Sequence, residues 1–234
     1  MEKITNIDFH AHILPGMDHG CKDVDMALKQ LAMAKQNGIH EIVATSHFYP
    51  HAESVSAFLK RREKSYRQLA DAVALSEGLP AVKIGAEVLI CKGMEEMEGL
   101  EELCMEGTKV LLLEMPFSKR WEPELIASVL ALKKERGFEV VLAHVERYSL
   151  KQIRPFLEQG MYAQINADSL TGKPGYRKAR AGYYWKRGLV WALGSDIHGL
   201  GSGYDRFGAA LKHFPKQAGQ VMKKTQELLE SNRI

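Results

Sequence analysis

Ile7-Asp8-Phe9-His10-Ala11-His12-Ile13-Leu14-Pro15-Gly16-Met17-Asp18-His19-Gly20 is the stretch that decides the fold. The short, apolar run from Ile4 to His10 is bounded and reads as a strand. Side chains alternate faces along a strand, so His10 and His12 point the same way. Two imidazoles on one face, with Asp8 beside them and Asp18 on the following turn, make half of a metal shell. A His-x-His pair also occurs by chance, so its meaning depends on whether the rest of the chain supplies the other half.

Outward from this stretch, strand and helix patterns alternate. Asp23 caps a helix that ends at Asn37-Gly38, and Glu41 to His47 reads as a second strand. A long helical pattern from Ser54 to Glu77 leads to a third strand, Ala81 to Ile90. Lys92 to Gly107 reads as short helix and loop. Lys109 to Met115 is a fourth strand, apolar as a strand covered on both faces should be. Further strands are expected at Phe138 to His144, Met161 to Asn166 and Leu189 to Ser195. Helices are expected at Pro123 to Arg136, Ser149 to Gln159, Tyr176 to Arg187 and from Asp205 to Glu230, broken near Pro215. About seven strand–helix units imply parallel strands with right-handed crossovers. No linker, low-complexity stretch or repeat divides the chain, so one α/β domain over residues 1–234 is expected.

Composition narrows the function classes. The chain has 234 residues, a formal net charge of +3, 45% hydrophobic and 26% charged residues. That charge is too small to argue for nucleic acid or an anionic membrane. Lys60-Arg61-Arg62, the densest basic run, reads as the solvated face of the long helix. No apolar run approaches the ~20 residues of a membrane-spanning helix. The N-terminal residues show no signal-peptide core, so a cytoplasmic protein is expected. The three cysteines, Cys21, Cys91 and Cys104, lack C-x-x-C spacing, which fits a reducing compartment. None is followed six positions later by an arginine, so the Cys-x5-Arg loop of thiol-based phosphatases is absent.

The other half of the shell lies where the strands stop. In a parallel barrel the C-terminal strand ends converge on one mouth, where catalytic side chains gather. Here those ends carry His10 and His12, His47, Glu87, Glu114, His144, Asn166, and Asp196 with His198 just beyond. A single histidine at a strand end is more often a hydrogen-bonded structural residue. Carboxylates converging without compensation would repel one another and resist ionisation. Nine candidate ligands, His10, His12, Asp18, His47, Glu87, Glu114, His144, Asp196 and His198, exceed what one ion takes. Two or three divalent ions, bridged by Glu87 or Asp196, fit better. Imidazole and carboxylate donors without thiolate suit manganese, iron or zinc. His19, His40, His51 and His213 fall outside the pattern; His40 and His213 read as surface, His19 and His51 as rim.

With these residues in place, the chain resembles the PHP superfamily, named for polymerase and histidinol phosphatase. The motifs are Asp8-x-His10-x-His12, Thr45-Ser46-His47, Gly85-Ala86-Glu87, Glu114, His144 and Ser195-Asp196-x-His198. Within it, Ile13-Leu14-Pro15-Gly16-x-Asp18-x-Gly20 and Glu146-Arg147-Tyr148 are similar to bacterial tyrosine-protein phosphatases of capsule and exopolysaccharide systems. The resemblance implies a distorted (β/α)7 TIM-like barrel, the nine ligands above, and a trinuclear centre usually assigned manganese. It implies hydrolysis of phosphotyrosine on a partner tyrosine kinase, with Arg147 as phosphate-binding residue. His19 stands where the family has Asp, and Val145 where it has Pro. Arg206 is the expected second phosphate arginine, at a spacing that departs from the family's. His198 is a candidate proton donor to the leaving oxygen as well as a ligand.

Three rival readings stand beside this one. A small-molecule phosphatase such as histidinol-phosphate phosphatase is disfavoured by the Ile13-to-Gly20 stretch. An amidohydrolase-type barrel commonly needs a bridging lysine, where the fourth strand offers Glu114. A metal-bearing regulatory module without turnover leaves the filled ligand set unused.

Overall fold

The computed structural model describes residues 4–234. β1 (Ile7–Ala11) is buried along its whole length. α1 (Val24–Gln36) follows, its first turn capped by the Asp23 side chain, which accepts from the Met26 N–H. The expected second strand is interrupted and runs as β2 (Glu41–Ala44) and β3 (His47–Phe48). After α2 (Val55–Ala74), the expected third strand is interrupted in the same way, as β4 (Ala81–Ile84) and β5 (Glu87–Leu89). Two short 3-10 turns, Met94–Glu96 and Leu100–Leu103, occupy the segment read as short helix and loop.

From there strands and helices alternate as expected. β6 (Val110–Glu114), α3 (Pro123–Lys134), β7 (Glu139–Leu142) and α4 (Leu150–Glu158) lead to β8 (Tyr162–Asn166). α5 (Ala167–Thr171) and α6 (Tyr176–Lys186) precede β9 (Val190–Gly194). α7 (Gly203–His213) and α8 (Pro215–Ser231) end the chain, divided at the expected proline. α5, a single buried turn, is too short for hydrophobic periodicity to announce.

The strands are parallel and form two sheets, β1-β2-β4 and β3-β5-β6-β7-β8-β9. The division falls where the second and third strands bend, at Thr45-Ser46 and Gly85-Ala86. Single hydrogen bonds carry the path across the bend: Gly85 N–H to the Ala44 carbonyl and Glu87 N–H to the Ser46 carbonyl. β9 meets β1 without a ladder; the Asp196 N–H donates to the His10 carbonyl and the Ser195 N–H to the Asp8 carboxylate. The architecture is thus α/β with parallel sheets, and no continuous ladder closes it among the described residues.

The bend corrects the reading of Lys60-Arg61-Arg62 as a solvated face. Arg62 is buried, and its guanidinium donates to the carbonyls of Gly85 and Glu102. A carbonyl freed from its ladder in the interior needs a donor, and α2 supplies one. Arg61 donates to the Met17 carbonyl and Ser65 to that of Pro15, so the same helix pins the loop after β1. Gly20 closes that loop: a Cβ there would lie 2.2 Å from the His12 Cβ. At Gly194 a Cβ would lie 2.6 Å from that of His10. Both glycines permit backbone to pass directly behind the two histidines.

Candidate metal centre

The strand ends do converge. His10 and His12 leave β1 on one face and are fully buried. His10 Nε2 lies 3.2 Å from His12 Nε2 and 3.1 Å from Glu87 Oε2. His12 Nε2 lies 3.3 Å from the same Glu87 oxygen and 3.4 Å from Asp196 Oδ1, which is 3.7 Å from His10 Nε2. Donors held at about 2.1 Å from one tetrahedral ion sit about 3.4 Å from one another. These four atoms therefore have the spacing of a shell.

Glu87 links this group to a second. Its Oε1 is 2.9 Å from His144 Nε2, which stands 3.5 Å from Glu114 Oε1, and its Oε2 is 3.0 Å from His47 Nδ1. His47, Glu87 and Glu114 offer donor atoms within 4.8 Å of one another, as do His12, His47 and His198. Glu87 Oε2, His47 Nδ1 and His198 Nε2 are buried polar atoms without a hydrogen-bond partner. Glu87 Oε2 is crowded by three imidazoles yet aligned for a hydrogen bond with none of them, as expected of a lone pair aimed at a shared centre. The donor set fits divalent cations.

Neighbouring side chains fix the tautomers. His10 Nδ1 faces Gln164 Oε1 at 3.1 Å, and His12 Nδ1 faces Asp18 Oδ2 at 2.8 Å. With the proton on each Nδ1, both Nε2 lone pairs point into the cluster. Asp18 is thereby held against His12 at the edge of the cluster. Its Oδ2 also accepts from the His47 N–H, and its Oδ1 from the Gly20 N–H. Its oxygens keep further lone pairs, so Asp18 both orients His12 and remains available beside His47.

The backbone is strained at the same place. Among the described residues, the non-glycine residues with positive φ are His144 (φ 33°) and Asp196 (φ 48°). Such conformations cost on the order of 1–3 kcal/mol each and concentrate at functional sites. At His144 the turn opens a short 3-10 helix, Val145–Arg147, which brings Arg147 back to the mouth. There Arg147 donates to Asp196 Oδ2, which also accepts from Asn166 Nδ2 at 2.7 Å.

Charge is compensated within the cluster. Burial opposes ionisation of Glu87, yet the imidazoles of His10, His12 and His144 hold its carboxyl well below the usual range. Burial likewise opposes protonation of His144, but Glu114 and Glu87 outweigh it and raise its pKa to about 9. The cluster without cations thus holds protons on some imidazoles, and divalent ions would take their place. His198 differs: burial and the neighbouring His12 lower its pKa to about 4. Its Nδ1 stands 3.0 Å from the Asp196 carbonyl, so the ring proton belongs there and Nε2 carries the free lone pair.

Arg206 is placed away from the cluster. It lies exposed on α7 and donates to the Thr171 carbonyl at 3.2 Å, held at α5 rather than at the cluster. His19, read as a rim residue, stacks 4.4 Å from the His198 ring and 5.3 Å from the His47 ring. His40 and His213 are exposed, as expected.

Sequence reasoning misses Gln164 and Phe117. A signal for Gln164 exists: with Asn166 it forms a polar pair at period two in an otherwise apolar strand. Its Oε1 serves both His10 and the His144 N–H. Gln164→Ala should therefore weaken metal affinity by roughly 10–100-fold, the usual effect of losing an orienting partner. Titration of the apoprotein with manganese checks this.

The fold and the cluster define a parallel α/β protein with a histidine–carboxylate centre at its strand ends. A family model described as "Capsular polysaccharide synthesis, CpsB/CapC" matches residues 6–233, and the chain belongs to that family. It is 29% identical to the tyrosine-protein phosphatase CpsB of Streptococcus pneumoniae, over 97% of this chain and 96% of that protein. It is 30% identical to the tyrosine-protein phosphatase YwqE of Bacillus subtilis, over 83% of this chain and 78% of that one. A solved structure from work on YwqE and CpsB, described as unique metal-dependent tyrosine phosphatases, superposes with a TM-score of 0.78 at 26% identity. It covers 97% of this chain and 95% of that chain.

Proposed function

We propose that the protein is a metal-dependent protein-tyrosine phosphatase whose substrate is a phosphotyrosine-bearing protein, a bacterial tyrosine kinase of capsule or exopolysaccharide synthesis. The observation that carries this reading is Arg147 at the edge of a buried histidine–carboxylate cluster, its guanidinium on Asp196. Family membership supports the same reading. The whole chain, 1–234, is read as one distorted (β/α)7 barrel domain acting in the cytoplasm; no helix among the described residues is long and apolar enough to cross a membrane.

His10, His12, Glu87 and Asp196 would hold one ion, and Glu87, Glu114 and His144 a second. Asp18, His47 and His198 would serve a third or complete the first two. Manganese suits this donor set, with iron or zinc as alternatives. Such ions, when bound, supply Lewis acidity and a water acidified to near neutral pH. The chain's own residues do the rest. Arg147 presents a planar fork that binds two phosphoryl oxygens and stabilises the charge spreading over them. Asp196 and Asn166 hold that fork in place before substrate arrives. Asp18 and Gln164 keep His12 and His10 in one tautomer. His198 is read as a ligand. The leaving phenolate has a pKa of ~10, well below that of an alkoxide, so the reaction needs less help from an acid.

No cysteine is suited to act as nucleophile. Burial pushes the Cys21 thiol up to about 11 and that of Cys104 to about 12, and it raises Cys91 as well. One preparation divided in two tests the chemistry. The half treated with iodoacetamide should keep its turnover of a phosphotyrosine peptide. The half treated with EDTA should lose it and recover with manganese. Loss on alkylation with survival of chelation would overturn the metal mechanism. Faster hydrolysis of histidinol phosphate than of the peptide would move the substrate to the small-molecule class.

A further inference from the structure

The mouth of the cluster opens on one side into a groove of about 570 Å³. The chemistry above uses this groove only at Arg147. One wall is the segment after β6. Phe117 is 65% exposed there, although its ring lies 5.8 Å from that of His144 and is stacked 5.7 Å from that of Tyr148. The Arg147 guanidinium is 5.6 Å from the same ring. An exposed phenylalanine in contact with a proposed ligand histidine contributes nothing to the core.

The opposite wall is the start of α6. Tyr176 is 58% exposed, with the Arg180 guanidinium 4.9 Å from its ring. Arg180 also donates to the Arg147 carbonyl at 3.2 Å, joining this wall to the reacting end. Arg177 and Lys119 are exposed on the two sides. α6 begins without a side-chain cap, so its first N–H groups add partial positive charge here. The groove is lined by Lys119, Arg147, Arg177 and Arg180 and by no carboxylate. Among the described residues, Lys119, Arg177 and Arg180 form no ion pair. Elsewhere Arg61, Arg67, Arg136 and Arg154 have carboxylate partners, while among the described residues Arg120, Arg187 and Arg206 stand singly and not in a cluster beside the centre.

We propose that this groove reads the peptide around the phosphotyrosine: the phenyl ring lies against Phe117, and acidic side chains beside it in sequence are taken by Arg177 and Lys119. The inference rests on the phosphatase reading and adds a sequence preference to it. An aromatic face beside the arginine fork suits an aryl phosphate, and unpaired cations around it suit anionic flanks. An acidic phosphopeptide matches both features, and the groove starts at the reacting centre, where such a peptide must lie.

The test uses the full metal-loaded chain and two peptides, each with one phosphotyrosine, flanked by glutamates in one and by alanines in the other. The wild type should favour the glutamate peptide by about five- to ten-fold in kcat/KM, the scale of one or two exposed charge pairs. The difference should lie in KM, with kcat unchanged. Arg177→Gln together with Lys119→Gln should abolish that preference, lowering kcat/KM on the glutamate peptide to the level of the alanine peptide measured with the same variant. Equal kcat/KM for both peptides in the wild type, or a preference that survives the double variant, would overturn the groove assignment while leaving the phosphatase reading intact. No hydrolysis of either peptide would overturn both.

Discussion

Glu87→Gln should empty the centre and stop turnover while the fold persists. Among the described residues, Glu87 is the carboxylate in contact with four imidazoles, those of His10, His12, His47 and His144. It is also the carboxylate whose two oxygens face different donor groups. Gln keeps its size and shape but removes the charge, leaving those imidazoles without their shared anion. Loss of the ions removes several kcal/mol of transition-state stabilisation, so kcat/KM should fall by about 10³-fold or more. Elemental analysis, far-UV circular dichroism and turnover on one preparation check this together. Full metal content with full activity would remove Glu87 from the bridging role.

Arg147→Lys should keep the metals and lose the phosphate. Lysine retains a positive charge near Asp196 but has no planar fork, so two parallel hydrogen bonds to phosphoryl oxygens are no longer available. By comparison with the loss of one preorganised oxyanion donor, kcat/KM on a phosphotyrosine peptide should drop by about 2–4 kcal/mol, roughly 30- to 900-fold. Metal content should match that of the wild type. An unchanged kcat/KM would take Arg147 out of the reaction.

Much of this site is legible in the sequence, for a physical reason. In parallel α/β proteins the strand ends are the site, so a run of His, Glu and Asp at successive strand ends is enough to mark convergence. His10, His12, His47, Glu87, Glu114, His144, Asp196 and His198 all reach one cluster by that rule. Asp18 also reaches His12 and the His47 backbone, although spacing alone puts a carboxylate in a loop without telling which way it faces. The Gly20 and His47 N–H groups, with His12 Nδ1, fix its orientation.

Arg206 escapes the rule for a related reason. It lies beyond Gly199 to Gly203, a stretch with no strand periodicity to orient it, and α7 carries it to Thr171. The interruptions of the second and third strands are equally hidden, since a bend at Thr45-Ser46 or Gly85-Ala86 leaves the apolar alternation intact. Arg62 resembles surface in the sequence because a helix pattern tells only which face is apolar. The Gly85 carbonyl that it satisfies belongs to another element. Phe117 carries no signal, because one aromatic residue in a loop has no period.

Anomalous scattering from crystals of the manganese-loaded protein tests the centre most directly, with data collected on both sides of the metal absorption edge. One peak is expected among His10, His12, Glu87 and Asp196, and a second between Glu87, Glu114 and His144, both lost in Glu87→Gln. Crystals of an active preparation with no anomalous peak inside this cluster, or with peaks only at other residues, would contradict the assignment.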